Sequence, residues 1–377
     1  MFGSMGKHVL VITVPGLELT ASPWREVEYL VEKSQEYGFK ILLLTMNSIS
    51  EEVCSMLRSF DIDIFQVEFR PRGHLLRQRR LFKIVKRFFL AVVAYRKITR
   101  KYSVSVHVSL DYASHPFEAV LPLISGVPFV FFQRNLLEKG SRLGLFLKSI
   151  FAKRIFSISA STRLLLESLP VKKSKIIDIN YGVDVCTSKY FWRGASSSVV
   201  LSVGHISSRK RYGFALEVFS IVAKRVPSAK YIVLGKVLEK DYYHSLIRKV
   251  SELGLEGKVE FLGARTDVLD FMSTSSVFMH CAISEALGWV LLEAMAVGTP
   301  VVSSNYAAAM QIIENGKDGF LLDAFDRNAF AEKVIELLEN RELAEFLSIN
   351  SREKIAASFS TDAFAATFFQ ELKKMIR

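Results

Sequence analysis

Cysteine is nearly absent from this chain: three residues in 377, Cys54, Cys186 and Cys281, far apart and odd in number. That leaves no disulfide framework and no thiolate metal spacing, and it points to a reducing compartment. Long apolar runs are missing too. None approaches the roughly 18 residues that a bilayer-spanning helix needs. The start, Met1 to Lys7, is short and polar, and the apolar run Val9 to Val14 behind it is only strand length, so no secretory leader is expected. There is no short-period repeat and no low-complexity tract. No zinc motif, aromatic RNA platform or helix-turn-helix pattern is found, which argues against nucleic acid as a partner. His107, His115 and His280 fall near expected strand ends, but no pair has a metal-ligand spacing. Such histidines are more often structural; His280, just ahead of a glutamate-bearing loop, is the best placed of the three to line a site.

What the chain does have is apolar punctuation. Half of its residues are hydrophobic, enough for two cores, and its length exceeds that of a typical single domain. In the first half, strands are expected at His8 to Val14, Lys40 to Thr45, Val104 to Val108, Pro128 to Phe132 and Ile155 to Ser159, with a helix from Trp24 to Tyr37 ending at Gly38. The second half repeats the alternation at Val199 to Val203, Lys230 to Leu234, Val259 to Leu262, Val277 to His280, Pro300 to Ser303 and Phe320 to Leu322. Strand-helix alternation predicts parallel, doubly wound α/β sheets. Asn180 to Ser198, with Gly182, Gly194 and a serine run, is the best linker candidate. A last helix is expected over about Asp362 to Ile376.

One absence is local. From Phe69 to Leu110 there is no acidic residue, while Arg70, Arg72, Arg77, Arg79, Arg80, Lys83, Lys86, Arg87, Arg96, Lys97, Arg100 and Lys101 are basic. Those twelve charges equal the net charge of the whole chain, +12. A helix from about Leu75 to Thr99 would set Leu81, Val85, Phe88 and Val92 along one stripe flanked by cations. This suits a helix lying on an anionic membrane, with Arg79, Arg80, Lys83, Lys86 and Arg87 as contacts. A core helix with a solvated basic face, a helix that contacts an acidic protein, and nonspecific nucleic-acid binding are the competing readings.

The most informative segment runs from Ser284 to Pro300, with Glu285 and Glu293 eight positions apart. It reads as a small polar loop, an apolar helix starting near Gly288, a Gly-Thr-Pro turn and a strand. A helix start offers free N–H groups and a positive dipole that suit phosphate, and nearby carboxylates can accept from sugar hydroxyls. Upstream, Gly204 ends a strand and is followed by Arg209, Lys210 and Arg211, cations able to neutralise a diphosphate. In open α/β sheets ligands bind beyond the carboxyl ends of strands, where these groups fall. The plainer readings are a solvated basic loop, and carboxylates that only complement the helix dipole.

The glutamate pair resembles the Glu-x7-Glu signature of the family-four retaining glycosyltransferases. Val203-Gly204-His205 with Arg209-Lys210, Ile232-Val233-Leu234-Gly235, Val259-Glu260-Phe261-Leu262-Gly263 and Asn180-Tyr181-Gly182-Val183-Asp184 extend the resemblance over most of the chain. It implies a GT-B fold, two Rossmann-like domains facing a central crevice: 1–184 on the acceptor side, 185–358 binding the nucleotide-sugar, and a helix over 359–377 crossing back. It implies a hexosyltransferase without a cofactor or bound metal, and the basic helix extends that reading to a lipid-linked or membrane-surface acceptor at the cytoplasmic face of a membrane. Glu285 would face the donor sugar, with Lys210 and Arg209 on the diphosphate. Glu293 would take the ribose hydroxyls. Gly204, His205 and the backbone of Leu287, Gly288, Trp289 and Val290 would line the donor site, with Gly263 and Arg265 beside the base. Gly16, Arg134 and His115 would stand on the acceptor side. The chain departs from the family at His205, at Arg134, at Ala307-Ala308 and at Gln311. These departures support one alternative, a catalytically weak sugar-nucleotide-binding subunit of a partner enzyme; a GT-B nucleotide-sugar epimerase is the rival within the same class.

Overall fold

The computed structural model describes residues 8–14, 22–45, 62–66, 81–110, 117–136, 142–183, 190–194 and 198–376, with backbone alone for 22–26, 81–88 and 117–118. The chain divides into two compact units. One comprises Met1–Ile158, Thr162–Ile179 and Ala365–Arg377, and the other Ser159–Ser161 and Asn180–Phe364.

The first unit holds a seven-stranded sheet of β1 (His8–Val14), β2 (Phe39–Thr45), β3 (Asp63–Gln66), β4 (Val104–Ser109), β5 (Phe129–Gln133), β6 (Arg154–Ser157) and β7 (Ile176–Asp178), in the order β3-β2-β1-β4-β5-β6-β7. Every adjacent pair is parallel. Parallel strands joined by helices are covered on both faces, so β1 and β2 read as near-continuous apolar runs, HVLVITV and FKILLLT. Side-chain alternation divides the aromatic residues of β5. Phe129 and Phe131 pack with Leu145, Ile155 and Leu166, whereas Phe132 and Phe156 meet Phe368 at ring separations of 5.6 Å. The last helix, Thr361–Ile376, thus inserts Phe368 and Phe369 into this unit, with Phe369 stacked on Tyr37 at 4.9 Å.

The helix Leu81–Tyr102 buries Ala91, Tyr95 and Ile98 against Val11, Leu42 and Leu44. This corrects the expected stripe at Val92. Val92 is half-buried and packs on the sheet cluster, while Phe89, Leu90 and Val93 are the exposed apolar residues, Phe89 at 66 %. The side chains of Leu81, Val85 and Phe88 lie outside the described residues. Two short strands were not anticipated: β3 at one sheet edge, where Lys40 pairs with Asp63 at 3.3 Å, and β7 at the other.

The second unit holds a six-stranded parallel sheet of β8 (Val199–Val203), β9 (Lys230–Leu234), β10 (Val259–Gly263), β11 (Val277–His280), β12 (Val301–Ser304) and β13 (Phe320–Leu322), in the order β10-β9-β8-β11-β12-β13. The strand order reverses at β8 and β11, where the two chain directions of winding meet and loops diverge to leave a crevice. Trp192 fastens the incoming chain here, its backbone N–H donating to Val297 O at 3.0 Å and its indole to Ser275 O at 2.8 Å.

Candidate functional site

The site is built at the carboxyl ends of β8, β11 and β12. Gly204 leaves β8 with φ +150° and accepts at its carbonyl a 2.7 Å hydrogen bond from Tyr212 Oη. A Cβ at Gly204 would stand 3.1 Å from Lys210 Cε and 3.2 Å from Lys210 Nζ. The glycine thereby lets Lys210 lie across the strand end. The next turn, Ser208–Lys210, is a single 3₁₀ turn closed by Arg211 in the left-handed region, φ 55°. It sends the three consecutive cations different ways. Arg211 donates to Ala324 O at 2.5 Å and lies over the rings of Phe214 and Phe325. Arg209 and Lys210 turn to Glu285.

Glu285 is 9 % exposed. Lys210 Nζ stands 2.6 Å from its Oε1 and Arg209 NH1 3.0 Å from its Oε2. Arg209 NH1 also donates to Ser284 O at 3.1 Å. Burial opposes ionisation of this carboxyl, but Lys210 above all, with Arg209, holds its pKa below the ordinary carboxylate value. It is therefore an anion at neutral pH. Lys210 is the charge partner of Oε1, and no further donor reaches that oxygen among the described residues.

Three residues after Glu285, Gly288 caps the helix Trp289–Val297 with φ +88°, and no side chain caps its start. The first amides of this helix are thus left to a ligand or solvent. Leu287 is buried. Trp289 Nε1 donates to Glu293 Oε1 at 2.8 Å, an i,i+4 contact that sets the carboxylate's direction, and Tyr181 meets the indole edge-on at 4.9 Å. Tyr306, just beyond β12, reaches back to Gly288. A Cβ there would lie 2.5 Å from the Tyr306 hydroxyl. His280 ends β11 with its ring 6.0 Å from that of Tyr306. Burial, followed by Lys210, pushes the His280 pKa down to about 3, so the imidazole is neutral.

Among the described residues, four buried side-chain polar atoms have no hydrogen-bond partner: Ser125 Oγ, His280 Nε2, Glu285 Oε1 and Tyr306 Oη. Three of the four surround this helix start. Buried orphans of this kind are costly and call for a reason. Below them a cavity of about 10 Å³ is lined by Ser202, Lys210, Tyr212, His280 and Cys281, room for one water.

The remaining expected site residues divide. His205 is exposed beside Gly204, and partial burial, then Lys210 and Lys236, lower its pKa, so it is neutral at pH 7. Gly263 ends β10 with φ +71° and accepts at its carbonyl from Gly235 N at 2.7 Å. Arg265 is forked onto Asp267 at 2.8 and 2.6 Å, a local pair two residues on. Gln311 is also engaged: its Oε1 accepts from Ala160 N at 2.6 Å and its Nε2 donates to Asn180 Oδ1 at 3.0 Å. In the first unit, Arg134 is buried and donates to Leu110 O at 3.2 Å. Gly16, His115, Arg79 and Arg80 lie outside the described residues, as do the side chains of Lys83, Lys86 and Arg87. Tyr306 and Tyr212 are the site residues that sequence reasoning missed. Their only signal was position, just past an expected strand and at the start of the helix after the basic turn.

Residues 193–354 match the family model for glycosyl transferases group 1. Over 178 residues the chain is 30 % identical to the lipopolysaccharide core biosynthesis glycosyltransferase LpsE of Rhizobium meliloti, covering 47 % of this chain and 50 % of that protein. Over 173 residues it is 25 % identical to the N-acetyl-alpha-D-glucosaminyl L-malate synthase of Bacillus anthracis, covering 46 % of this chain and 44 % of that one. The chain thus spans about half the length of the curated relatives it matches. Solved structures resemble nearly all of it. A glycosyltransferase of Rickettsia africae superimposes with a TM-score of 0.81 at 15 % identity, covering 98 % of this chain and 99 % of that one. HepE of Anabaena, in complex with UDP and glucose, superimposes with a TM-score of 0.79 at 17 % identity, covering 97 % and 100 %. The chain has the GT-B fold.

Proposed function

We propose that this protein is a retaining glycosyltransferase that moves a hexosyl group from a nucleotide-sugar to a hydroxyl of a lipid-linked or membrane-surface acceptor. The observation that carries this reading is the convergence of Arg209, Lys210 and Glu285 with three orphaned buried polar atoms at an uncapped helix start. Two cations and free amides suit a diphosphate, and carboxylates suit sugar hydroxyls. The UDP held by HepE supports a nucleoside diphosphate as the donor's leaving group.

In this reading the bond from the anomeric carbon to the diphosphate oxygen breaks while the acceptor oxygen bonds on the same face of the sugar, and the acceptor hydroxyl's proton passes to the leaving diphosphate oxygen. Negative charge grows on the leaving diphosphate, where Lys210, Arg209 and the amides of Trp289 and Val290 stabilise it. Glu293, steered by Trp289, takes the ribose hydroxyls, and Glu285 faces the sugar. Charge comes from side chains, so the reaction needs no metal and should persist in a chelator. The test is thermal shift with a panel of nucleoside diphosphates and their sugars, followed by donor hydrolysis. A ligand that binds the native state raises the melting temperature. Binding with no hydrolysis or transfer would leave a binding subunit; no binding of any of them would sink the reading.

The acceptor half of the proposal rests on the helix Leu81–Tyr102. Phe89, Leu90 and Val93 are exposed on it, and Arg96, Lys97, Arg100 and Lys101 are exposed nearby. An apolar strip beside cations suits peripheral attachment to the anionic cytoplasmic face of a membrane. No helix among the described residues is long and apolar enough to cross one. Each cation near such a surface contributes on the order of 1 kcal/mol. The protein should co-sediment with anionic liposomes at low salt and much less with neutral ones. Replacing Arg79, Arg80, Lys83, Lys86 and Arg87 with Gln, or Phe89 and Leu90 with Ser, should release it. Indifference to both lipid charge and these changes would remove the membrane from the proposal.

A further inference from the structure

We propose that Glu285 is the resting counter-ion of the phosphate-binding cations, a carboxylate that the donor's diphosphate must displace from Arg209 and Lys210 before the sugar can be engaged. The inference rests on the nucleotide-sugar reading of the site and adds a direction to it: in the free protein one of the residues expected to help the donor competes with it.

The geometry carries this. One carboxylate occupies both cations, Lys210 at 2.6 Å and Arg209 at 3.0 Å. Lys210 is 11 % exposed at its side chain, so it has little water to fall back on, and Glu285 is its only ion-pair partner among the described residues. A diphosphate arriving at the uncapped start of the helix Trp289–Val297 meets cations that are already neutralised, and must replace those contacts. The occupied state is not comfortable for Glu285 either. Its Oε1 has Lys210 alone, and His280 Nε2 and Tyr306 Oη stand without hydrogen-bond partners around it among the described residues. Once the diphosphate takes the cations, Glu285 is free to leave this position and turn to a sugar hydroxyl. Gly288, with its left-handed backbone, is the natural pivot of the short loop that carries it. The exchange makes cation release and sugar engagement one event.

Two glutamates of the same site should then respond oppositely. Glu285→Gln removes the competitor, so UDP, which carries no sugar, should bind about tenfold more tightly, as should inorganic pyrophosphate. Glu293→Gln should weaken UDP and leave pyrophosphate unchanged. Sugar transfer should be lost in Glu285→Gln despite the tighter binding. Without its anion Lys210 is a buried unpaired cation, so the free variant should melt lower than wild type, and saturating UDP should raise its melting temperature by more than it raises that of wild type. Isothermal titration with UDP and pyrophosphate, with melting curves of each variant, reads all of this. Wild type that binds UDP, together with a folded Glu285→Gln that binds it no better, overturns the counter-ion role and leaves the nucleotide-sugar reading standing. Failure of both proteins to bind UDP, GDP or pyrophosphate overturns the two together.

Discussion

Two histidines sit at equivalent depth in the two units and have opposite surroundings. His107, on β4, and His280, at the end of β11, are both fully buried, and burial lowers the pKa of each to about 3. Yet His107 Nε2 lies 2.7 Å from Thr13 Oγ1 and its Nδ1 2.7 Å from Tyr95 Oη. His280 Nε2 has no hydrogen-bond partner among the described residues. The first is a satisfied link between β1, β4 and the helix Leu81–Tyr102. The second stands with Glu285 and Tyr306 where polar atoms have been left without partners. The difference teaches that burial and a shifted pKa do not mark a site by themselves, since both histidines have them. Unmet hydrogen-bonding capacity gathered around charged groups does, because a fold gains nothing from it; Ser125 Oγ, unmet but alone, marks none.

That contrast can be broken or sharpened, and the largest effect should come from the unsatisfied side. Lys210→Ala should cut turnover by about 10²–10³-fold, seen in steady-state transfer from a nucleotide-sugar, with a smaller change in unfolding free energy. A variant that transfers sugar at the wild-type rate would remove Lys210 from the reaction. Next comes the satisfied histidine. His107→Leu leaves Thr13 Oγ1 and Tyr95 Oη buried and unpaired, and should cost about 3 kcal/mol in denaturant titration.

Acid should act on both histidines alike. Their folded pKa values lie below the unfolded value, so the unfolded chain takes up protons that the native one refuses. Stability is therefore complete above pH 6.5 and falls as pH drops from about 6.5 towards about 3. The slope approaches about 1.4 kcal/mol per pH unit for each histidine. Each single substitution to Leu should remove one proton from that slope between pH 6.5 and 5. A slope unchanged in both variants would show that neither histidine is held neutral. The smallest effect is the most discriminating. His280→Leu discards an Nε2 with no hydrogen bond to lose and keeps an apolar side chain beside Phe278 and Tyr306, so stability should change by no more than about 1 kcal/mol. A loss as large as that of His107→Leu would mean that His280 too is a structural residue, and the contrast would collapse.

Parts of this were legible in the residues. Strands of the two interiors announced themselves as short apolar runs because parallel strands are buried on both faces, and nearly all the expected runs lie within a residue or two of the observed strands. β3 (DIFQ) and β7 (IID) escaped because edge strands are short and half-solvated, so they carry little apolar signal. The helix after β3 was expected, but Val92, expected on a membrane-facing stripe, packs on the sheet. Periodicity through Val92 continues to Tyr95, and periodicity alone does not say whether a stripe faces a sheet or something outside the chain. Gln311 could be flagged as a departure from a family pattern, but not as the residue that receives Ala160 N and reaches Asn180.

The chain by itself determined the alternation of strand and helix, the placing of glycines and cations past strand ends, and the interval between Glu285 and Glu293, because these depend on local periodicity and on residues a few positions apart. Only the tertiary structure decided which cation meets which carboxylate. Arg209, Lys210 and Arg211 are neighbours in sequence and chemically alike, but a left-handed turn at Arg211 sends one away to Ala324 and two to Glu285. It alone decided, too, that Tyr306 would come back from beyond β12 to touch Gly288, eighteen positions earlier. Contacts of that kind are set by sheet order and packing, which bring distant strand ends together, and no spacing along the chain encodes them.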